Sequence, residues 1–235
     1  MSAPPMLHGY GPALLQGTLL TLQLALAALA LALLLGAACA AARLSGSRAA
    51  RALGTAYTTV VRGVPDLVLM LLVYFGGQAA LNAAADALGA EPPDLGPFAA
   101  GVATLGFVFG AYLGETFRGA WLAVPRGQAE AALALGLRPR QAARHVLAPQ
   151  MLRHALPGLA NQWLVLVKAT ALVSVIGLND TLARAGQAAG ATREPFTFYL
   201  AAAAIYLAIT TLSLLVLGRL ARRAARGLAP PGGRA

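Results

Sequence analysis

The feature that most constrains this chain is a set of long runs that carry almost no charge. A helix needs about 20 residues to cross the roughly 30 Å of bilayer hydrocarbon. Four runs of that length have no charged residue: Leu14 to Ala42, Leu67 to Ala85, Leu95 to Gly114 and Pro195 to Gly218. A fifth run, His154 to Leu178, has Lys168 as its only charged residue. The sequence therefore predicts an all-α membrane protein with one transmembrane domain over residues 1–235 and spans near 15–42, 65–86, 97–122, 154–178 and 196–219.

Composition supports a membrane protein over a soluble one. The chain is 58% hydrophobic and 11% charged, whereas a soluble domain normally carries about 25% charged residues. Its net charge of +10 comes from basic residues that gather between the apolar runs and are not interleaved with aromatic residues, so we expect membrane lipid and no nucleic acid as a partner. The sequence contains no phosphate-binding loop, metal-spaced His/Cys cluster or nucleophile elbow, so we expect no cofactor, no metal site and no enzymatic activity.

The distribution of arginines predicts the orientation in the membrane. Fifteen arginines fall in the segment after the first run, between the third and fourth runs, and in the tail; they are Arg43, Arg48, Arg51, Arg62, Arg118, Arg126, Arg138, Arg140, Arg144, Arg153, Arg219, Arg222, Arg223, Arg226 and Arg234. Only Arg184 and Arg193 fall in the other loops. By the positive-inside rule the arginine-rich side is cytoplasmic, which places the N-terminus outside and the C-terminus in the cytoplasm.

The stretch Glu130 to Pro149, EAALALGLRPRQAARHVLAP, interrupts the apolar pattern within a polar loop over residues 123–153. Gly136 suits the left-handed conformation that closes a first helix of about nine residues. Pro139 suits the first turn of a second helix, which we expect to stop at Pro149. The small, apolar first helix indicates a docking surface for a partner. An ordinary loop between two spans is the alternative.

Three charged residues lie within or beside the apolar runs, where an isolated charge costs about 2.5–3.5 kcal/mol on insertion scales. Asp66 begins the second span, and we weigh a pathway role against an ion pair with Arg62. Glu115 is three residues from Arg118, a spacing that favours an ion pair on one helix face. Lys168 lies deep in the fourth span and is expected to pair with one of these carboxylates. All three remain candidates for a substrate pathway.

Four motifs resemble a known family. Glu130-Ala131-Ala132, Gly136 and Pro149 are similar to the EAA loop of ABC-importer permeases, EAA-x3-G-x9-I-x-L-P, although Val146 and Ala148 replace the usual Ile and Leu. Together with RGVPDLVLML, GAYLGETFRGAW and KATALVSVIGLND, the loop resembles the polar amino-acid permeases, and most closely those of the histidine/lysine/arginine/ornithine class. The resemblance extends from Tyr10 to Arg223.

The resemblance implies a five-span type I ABC-importer permease fold in a bacterial inner membrane. It also implies three partners: a cytoplasmic ABC ATPase dimer, a second permease subunit that is identical or homologous, and a periplasmic amino-acid-binding protein at the loops 86–97 and 179–195. The ATPase dimer is expected to bind the loop at Glu130, Ala131, Ala132, Gly136 and Pro149. Many relatives have an apolar residue at the position of Asp66, and an acid there resembles the branch that carries cationic amino acids.

Two other classes of function remain open on the sequence alone. Charges inside the membrane also suit an ion-coupled secondary transporter, although five spans without a visible inverted repeat argue against one. A non-transporting membrane scaffold needs only apolar spans and basic loops. Uptake that continues after ATP depletion in the presence of a proton gradient favours the first alternative. Failure to co-purify with an ATPase favours the second.

Overall fold

The fold is known from a computed structural model, which describes residues 6–225. A short 3-10 turn, Met6–Gly9, precedes eight helices: α1 (Gly11–Leu44), α2 (Arg48–Gly63), α3 (Asp66–Leu88), α4 (Pro97–Leu122), α5 (Arg126–Ala134), α6 (Pro139–Ile176), α7 (Thr181–Thr192) and α8 (Pro195–Ala225). No strand occurs within this described range. Two of the tail arginines that entered the orientation argument, Arg226 and Arg234, lie outside it.

Five of these helices are long and apolar enough to cross a membrane: α1, α3, α4, α6 and the Pro195–Arg219 part of α8. The prediction of an all-α protein with five spans is confirmed. We call the end of the bundle that carries α5 the loop end, and the end that carries α7 the far end. Successive spans run in opposite directions between these two ends.

Pro149 does not stop the second helix of the loop, and this part of the sequence prediction is wrong. The helix that begins at Pro139 continues through Pro149 to Ile176 as a single element of 38 residues. A π-helical turn, Ala143–Leu147, lies immediately before the proline. Proline lacks an N–H donor and crowds the carbonyl four residues earlier, and a widened turn relieves that conflict without ending the helix.

The centre of the bundle is the contact between α1 and α4, which run in parallel. Glycines on α4 let the two backbones approach closely. A Cβ atom added at Gly106 would lie 2.5 Å from a methyl carbon of Leu31, and one added at Gly114 would lie 2.9 Å from the sulfur of Cys39. Gly106 and Gly114 therefore allow close helix packing, and α4 is the most buried of the five spans.

Helix α2 is an element that the sequence analysis left unassigned. Its buried residues are Gly54, Thr58 and Val61. A Cβ atom added at Gly54 would lie 2.6 Å from Cγ of Arg43, so the helix packs closely on α1 at this point. Three residues further on, the Tyr57 hydroxyl donates a hydrogen bond to the carbonyl of Phe107, in the middle of α4. Helix α2 therefore rises from the loop end along α1 and α4 into the bundle.

The short helix α7 closes the far end. Asp180 caps it, because its Oδ1 accepts a hydrogen bond of 2.8 Å from the backbone N–H of Ala183. The hydroxyls of Thr21 in α1 and Thr181 in α7 are 2.8 Å apart, which ties the helix to the first span. On the other side of the bundle, the indole N–H of Trp163 donates to Oγ of Ser213 at 2.9 Å and joins α6 to α8.

Candidate functional site

The first part of the site is a rigid elbow, which we define as residues 126–150, at the loop end. Helix α5 has nine residues, as the sequence predicts. Gly136 has a φ of 83°, and its N–H donates to the carbonyl of Leu133 at 2.9 Å, while the N–H of Leu137 donates to the carbonyl of Ala132 at 3.2 Å. This pair of hydrogen bonds is a Schellman motif, which satisfies the last carbonyls of α5 and turns the chain sharply.

The two arms of the elbow are held against each other. The backbone N–H of Arg138 donates to Oε1 of Gln141 at 2.9 Å, which caps the start of α6 next to Pro139. Ala132 and Ala142 are both 3% exposed, so one small residue from each arm is buried. The amide of Gln150 donates to that of Gln128 at 3.1 Å. These contacts join the elbow to the start of the fourth span.

The residues predicted to contact an ATPase divide between the inside and the outside of the elbow. Glu130, Ala131, Gly136 and Pro149 are exposed, whereas Ala132 is buried. No heavy atom lies within 4 Å of a Cβ built on Gly136, so its surroundings are open. The sequence analysis missed Leu135, which is 84% exposed at the tip of the elbow. An unusually exposed leucine beside the EAA residues gives the elbow an apolar contact surface.

Asp66 is partly buried at the start of α3 and lies away from the loop-end edge. The segment Asp66–Leu71 packs against α4 and against the 3-10 stretch Thr170–Ile176 at the end of α6. The predicted ion pair between Asp66 and Arg62 is wrong. Helix α2 ends at Gly63, and the extended residues Val64 and Pro65 separate it from the helix that begins with Asp66. The guanidinium of Arg62 instead lies 5.3 Å from the ring centroid of Tyr112.

Glu115 is part of an ion-pair network. Nε of Arg118 donates to Oε2 of Glu115 at 3.1 Å, which is the predicted pair at a spacing of three residues. Arg43, at the end of α1, donates to Oε1 of the same carboxylate and also to the hydroxyl of Thr58. The contact with Arg43 was not predictable, since it joins residues 72 positions apart in sequence. Both oxygens of Glu115 are therefore engaged by arginines.

Lys168 does not pair with either carboxylate, so the expectation of an internal ion pair is wrong. Within residues 6–225 the acidic partners of ion pairs are Glu115 and Glu194 only, and neither binds Lys168. The lysine is exposed and lines a cavity of about 320 Å³ with Ala171, Leu182, Tyr199, Ala202, Ala203 and Tyr206. It lies two residues before Thr170–Ile176, the stretch against which Asp66–Leu71 packs. The residues that line this cavity come from α6, α7 and α8 and include none of Asp66–Leu71.

A buried carboxylate at the far end was also missed by the sequence analysis. Asp180 has no exposed surface, and its Oδ2 has no hydrogen-bond partner in the described part of the chain. Burial raises the pKa of the Asp180 carboxyl from 3.8 to about 6, against the lowering effect of the backbone N–H groups that it caps. An Asp directly before a short polar helix is an N-cap signal, and it was the available clue.

Five apolar helices with a rigid, exposed elbow at one end define a multi-pass membrane subunit built to contact a separate protein. Residues 15–226 match the family described as "Binding-protein-dependent transport system inner membrane component", and the chain belongs to this family. It is an inner-membrane permease component of a binding-protein-dependent ABC transport system and not an enzyme, because ATP hydrolysis in such a system lies in a separate subunit. Membership implies an ATPase and a binding protein as partners.

Similar proteins include permeases for amino acids. The chain is 48% identical over 223 residues to the histidine/lysine/arginine/ornithine transport system permease protein HisQ of Salmonella typhimurium, which covers 95% of this chain and 98% of HisQ. It is 44% identical over 186 residues to the arginine ABC transporter permease protein ArtQ of Escherichia coli, covering 74% and 78% of the two chains. A solved structure, "Crystal structure of an amino acid ABC transporter with histidines", has a TM-score of 0.81 and 32% identity, covering 95% of this chain and 99% of that one.

Proposed function

We propose that this chain is a permease subunit of an importer for cationic amino acids of the histidine, lysine, arginine and ornithine class. A periplasmic binding protein delivers the amino acid to the far end, which faces outwards. A second permease subunit, identical or homologous, completes the pathway. Two ATPases bind the elbows on the cytoplasmic side, and their closure on ATP rocks the two bundles between inward and outward access. The names of the relatives support the substrate class, and the arginine distribution supports the orientation.

The observation that carries the substrate proposal is the environment of Asp66. Its carboxylate is half-buried in the bundle and has no ion-pair partner among residues 6–225. A carboxylate inside the membrane normally faces a partner or a cavity, and a guanidinium or ammonium side chain is the partner that its charge favours. Asp66 therefore binds the cationic side chain of the amino acid in transit.

Lys168 complements this assignment. Its ammonium group is exposed and free of ion pairs in the described part of the chain, and Lys168 lines a cavity of about 320 Å³ between α6, α7 and α8. Every amino acid carries an α-carboxylate, and an ammonium group is a suitable partner for it. Asp66 then recognises the side chain, while Lys168 recognises the group that all amino acids share. Glu115 is engaged by Arg43 and Arg118 and acts on the pathway only through the position of α4.

The test is uptake into proteoliposomes that contain the assembled transporter, with ATP inside and the binding protein outside. We compare labelled L-arginine with L-citrulline, which has nearly the same shape and no charge. Asp66→Asn is expected to lower arginine uptake on the order of tenfold, the value of about one charged hydrogen bond, and to leave citrulline uptake nearly unchanged. Asp66→Glu, which keeps the negative charge at the same position, is the matched control and should retain most of the arginine uptake.

The outcomes separate the proposal from its rivals. Equal losses for arginine and citrulline would make Asp66 a structural residue. Uptake that is insensitive to vanadate but requires a proton gradient would indicate a secondary transporter. The third outcome is that the unaltered complex takes up no amino acid although its ATPase is active and the binding protein is loaded. That result would favour a non-transporting scaffold.

A further inference from the structure

Helix α2 has three distinct faces. One is buried and contains Gly54, Thr58 and Val61. A second is apolar but exposed, with Leu53 at 72% and Val60 at 60%. The third is exposed and polar, and we call it the polar stripe; its residues are Arg48, Arg51, Thr55, Thr59 and Arg62. Spacings of three and four residues place these side chains along one side of the helix.

The threonine hydroxyls of the polar stripe lack the hydrogen bond that most helical threonines make, as do those of Thr104, Thr197 and Thr211 within residues 6–225. Six helical threonines donate to the carbonyl four residues earlier, which satisfies the hydroxyl within the helix: Thr18, Thr21, Thr58, Thr116, Thr192 and Thr210. The hydroxyls of Thr55 and Thr59 have no hydrogen-bond partner within residues 6–225. Thr55 and Thr59 are also exposed, so their hydroxyls are available to water or to a polar ligand.

The polar stripe also lies within the height of the bundle. At its lower end, Arg51 donates to the carbonyls of Ser45 and Gly46 at 2.9 and 3.2 Å, where α1 has just ended. Between Thr55 and Thr59, Tyr57 reaches the carbonyl of Phe107 in the middle of α4. At its upper end, Arg62 precedes Asp66 by four residues. The stripe therefore connects the loop end with the position of Asp66.

We infer that the polar stripe of α2 lines the leg of the translocation pathway between Asp66 and the loop end. This inference rests on the proposed function and adds Thr55 and Thr59, which lie in none of the quoted motifs. Thr55 and Thr59 offer hydroxyls that replace part of the hydration of a passing amino acid. The guanidinium groups at both ends of the stripe make this leg electropositive, so it binds a cationic substrate less strongly than Asp66 does.

The test uses cysteine accessibility in the assembled transporter. Cys39 is the single cysteine of this chain, so the Cys39→Ala variant of the chain has no thiol of its own. Single cysteines replace Thr55 or Thr59 on the stripe, and Leu53 or Val60 on the apolar face. A cationic, membrane-impermeant methanethiosulfonate reagent is applied from the loop side. We expect the stripe cysteines to react on the order of tenfold faster or more, because water reaches them and hydrocarbon covers the controls. Saturating L-arginine should slow the reaction.

Equal reactivity at the stripe and at the apolar face would overturn the inference. ATP-driven uptake in the same vesicles would then still support the proposed function, so the two failures are distinguishable. A second measurement does not depend on labelling. The double variant Thr55→Val, Thr59→Val keeps the side-chain shape and removes both hydroxyls, and it should lower the uptake rate about fivefold, the value of roughly one net hydrogen bond. Val60→Thr, on the apolar face, should leave uptake unchanged, and equal rates for both variants would contradict the inference.

Discussion

Arg43 in the first span and Glu115 in the third form an ion pair inside the bundle. Their side chains are 15% and 24% exposed, and Arg118 donates to the other carboxylate oxygen at 3.1 Å. Arg43 also holds the hydroxyl of Thr58 at 3.1 Å, so one guanidinium joins α1, α2 and α4. The network fixes the position at which α2 leaves the loop end and enters the bundle.

The first prediction concerns this network. Glu115→Gln should lower the free energy of unfolding by about 1–3 kcal/mol, because it leaves two partly buried guanidinium groups without a countercharge. Thermal unfolding of the purified protein in detergent measures the change. Glu130→Gln, at an exposed residue outside the ion pairs of the described chain, should leave the melting temperature unchanged. Similar melting temperatures for both variants would show that the network does not stabilise the bundle.

The second prediction concerns Gly136, whose φ of 83° is in the left-handed region. Asp and Asn have the same shape and both tolerate this region better than other side chains, so a comparison of the two isolates the effect of charge. Gly136→Asp should leave the protein inserted but reduce uptake on the order of tenfold, because a desolvated carboxylate weakens the docking surface. Gly136→Asn should retain most activity. Normal uptake by Gly136→Asp would count against a docking role for the elbow.

The third prediction distinguishes the roles of Lys168 and Asp66. If Lys168 binds the α-carboxylate, Lys168→Gln should raise the KM for L-arginine and L-citrulline alike, on the order of tenfold for one charged hydrogen bond. Lys168→Arg keeps the charge and should retain part of the affinity. A loss confined to arginine would assign Lys168 to the side-chain end of the substrate and would contradict the proposed division of roles.

The fourth prediction follows from the buried Asp180. Its pKa is raised to about 6 in the folded protein, so the folded state holds the proton more tightly than the unfolded chain does. The free energy of unfolding should therefore decrease as the pH rises from about 4 to about 6, by at most about 1.4 kcal/mol per pH unit for one group. Above about pH 6 the full cost of the buried charge is present.

Asp180→Asn isolates this effect, since an amide still caps the helix but does not titrate. At pH 7.5 the variant should melt above the wild-type protein, and the difference should shrink as the pH is lowered to 5.5. Comparing the two proteins at each pH removes the contribution of every other titrating group. A difference in melting temperature that does not depend on pH would show that Asp180 keeps an ordinary pKa.

Much of the fold was predictable because it depends on local chemistry. Uncharged runs of about 20 residues identified the spans, and Gly136 identified the turn of the elbow, because only a few residues accept that conformation. Helix α2 was missed because spans were identified as uncharged runs of about 20 residues, and its 16 residues include Arg48, Arg51 and Arg62. The continuation of α6 through Pro149 was missed because a π-helical turn leaves no plain sequence signal.

The ion pairs show the limit of reasoning from sequence distance. The Glu115 and Arg118 pair was predictable, since both residues lie on one helix. The contact with Arg43 required the packing of α1 on α4, which single-sequence patterns do not determine. Asp66 and Lys168 were singled out from the sequence as unusual charges. The structure leaves both without the internal partners expected for them, and that observation directs the proposed substrate chemistry.

The central claim is that the elbow contacts the ATPase of the transporter. Its most direct measurement is crosslinking from single cysteines in a Cys39→Ala background of the assembled complex. Leu135→Cys lies at the tip of the elbow, and Leu88→Cys, at a leucine of similar exposure (82% against 84%), lies at the end of the third helix away from the elbow. The account predicts that the cysteine at 135 crosslinks to the nucleotide-hydrolysing subunit and the cysteine at 88 does not. Crosslinks from position 88 and none from position 135 would contradict it.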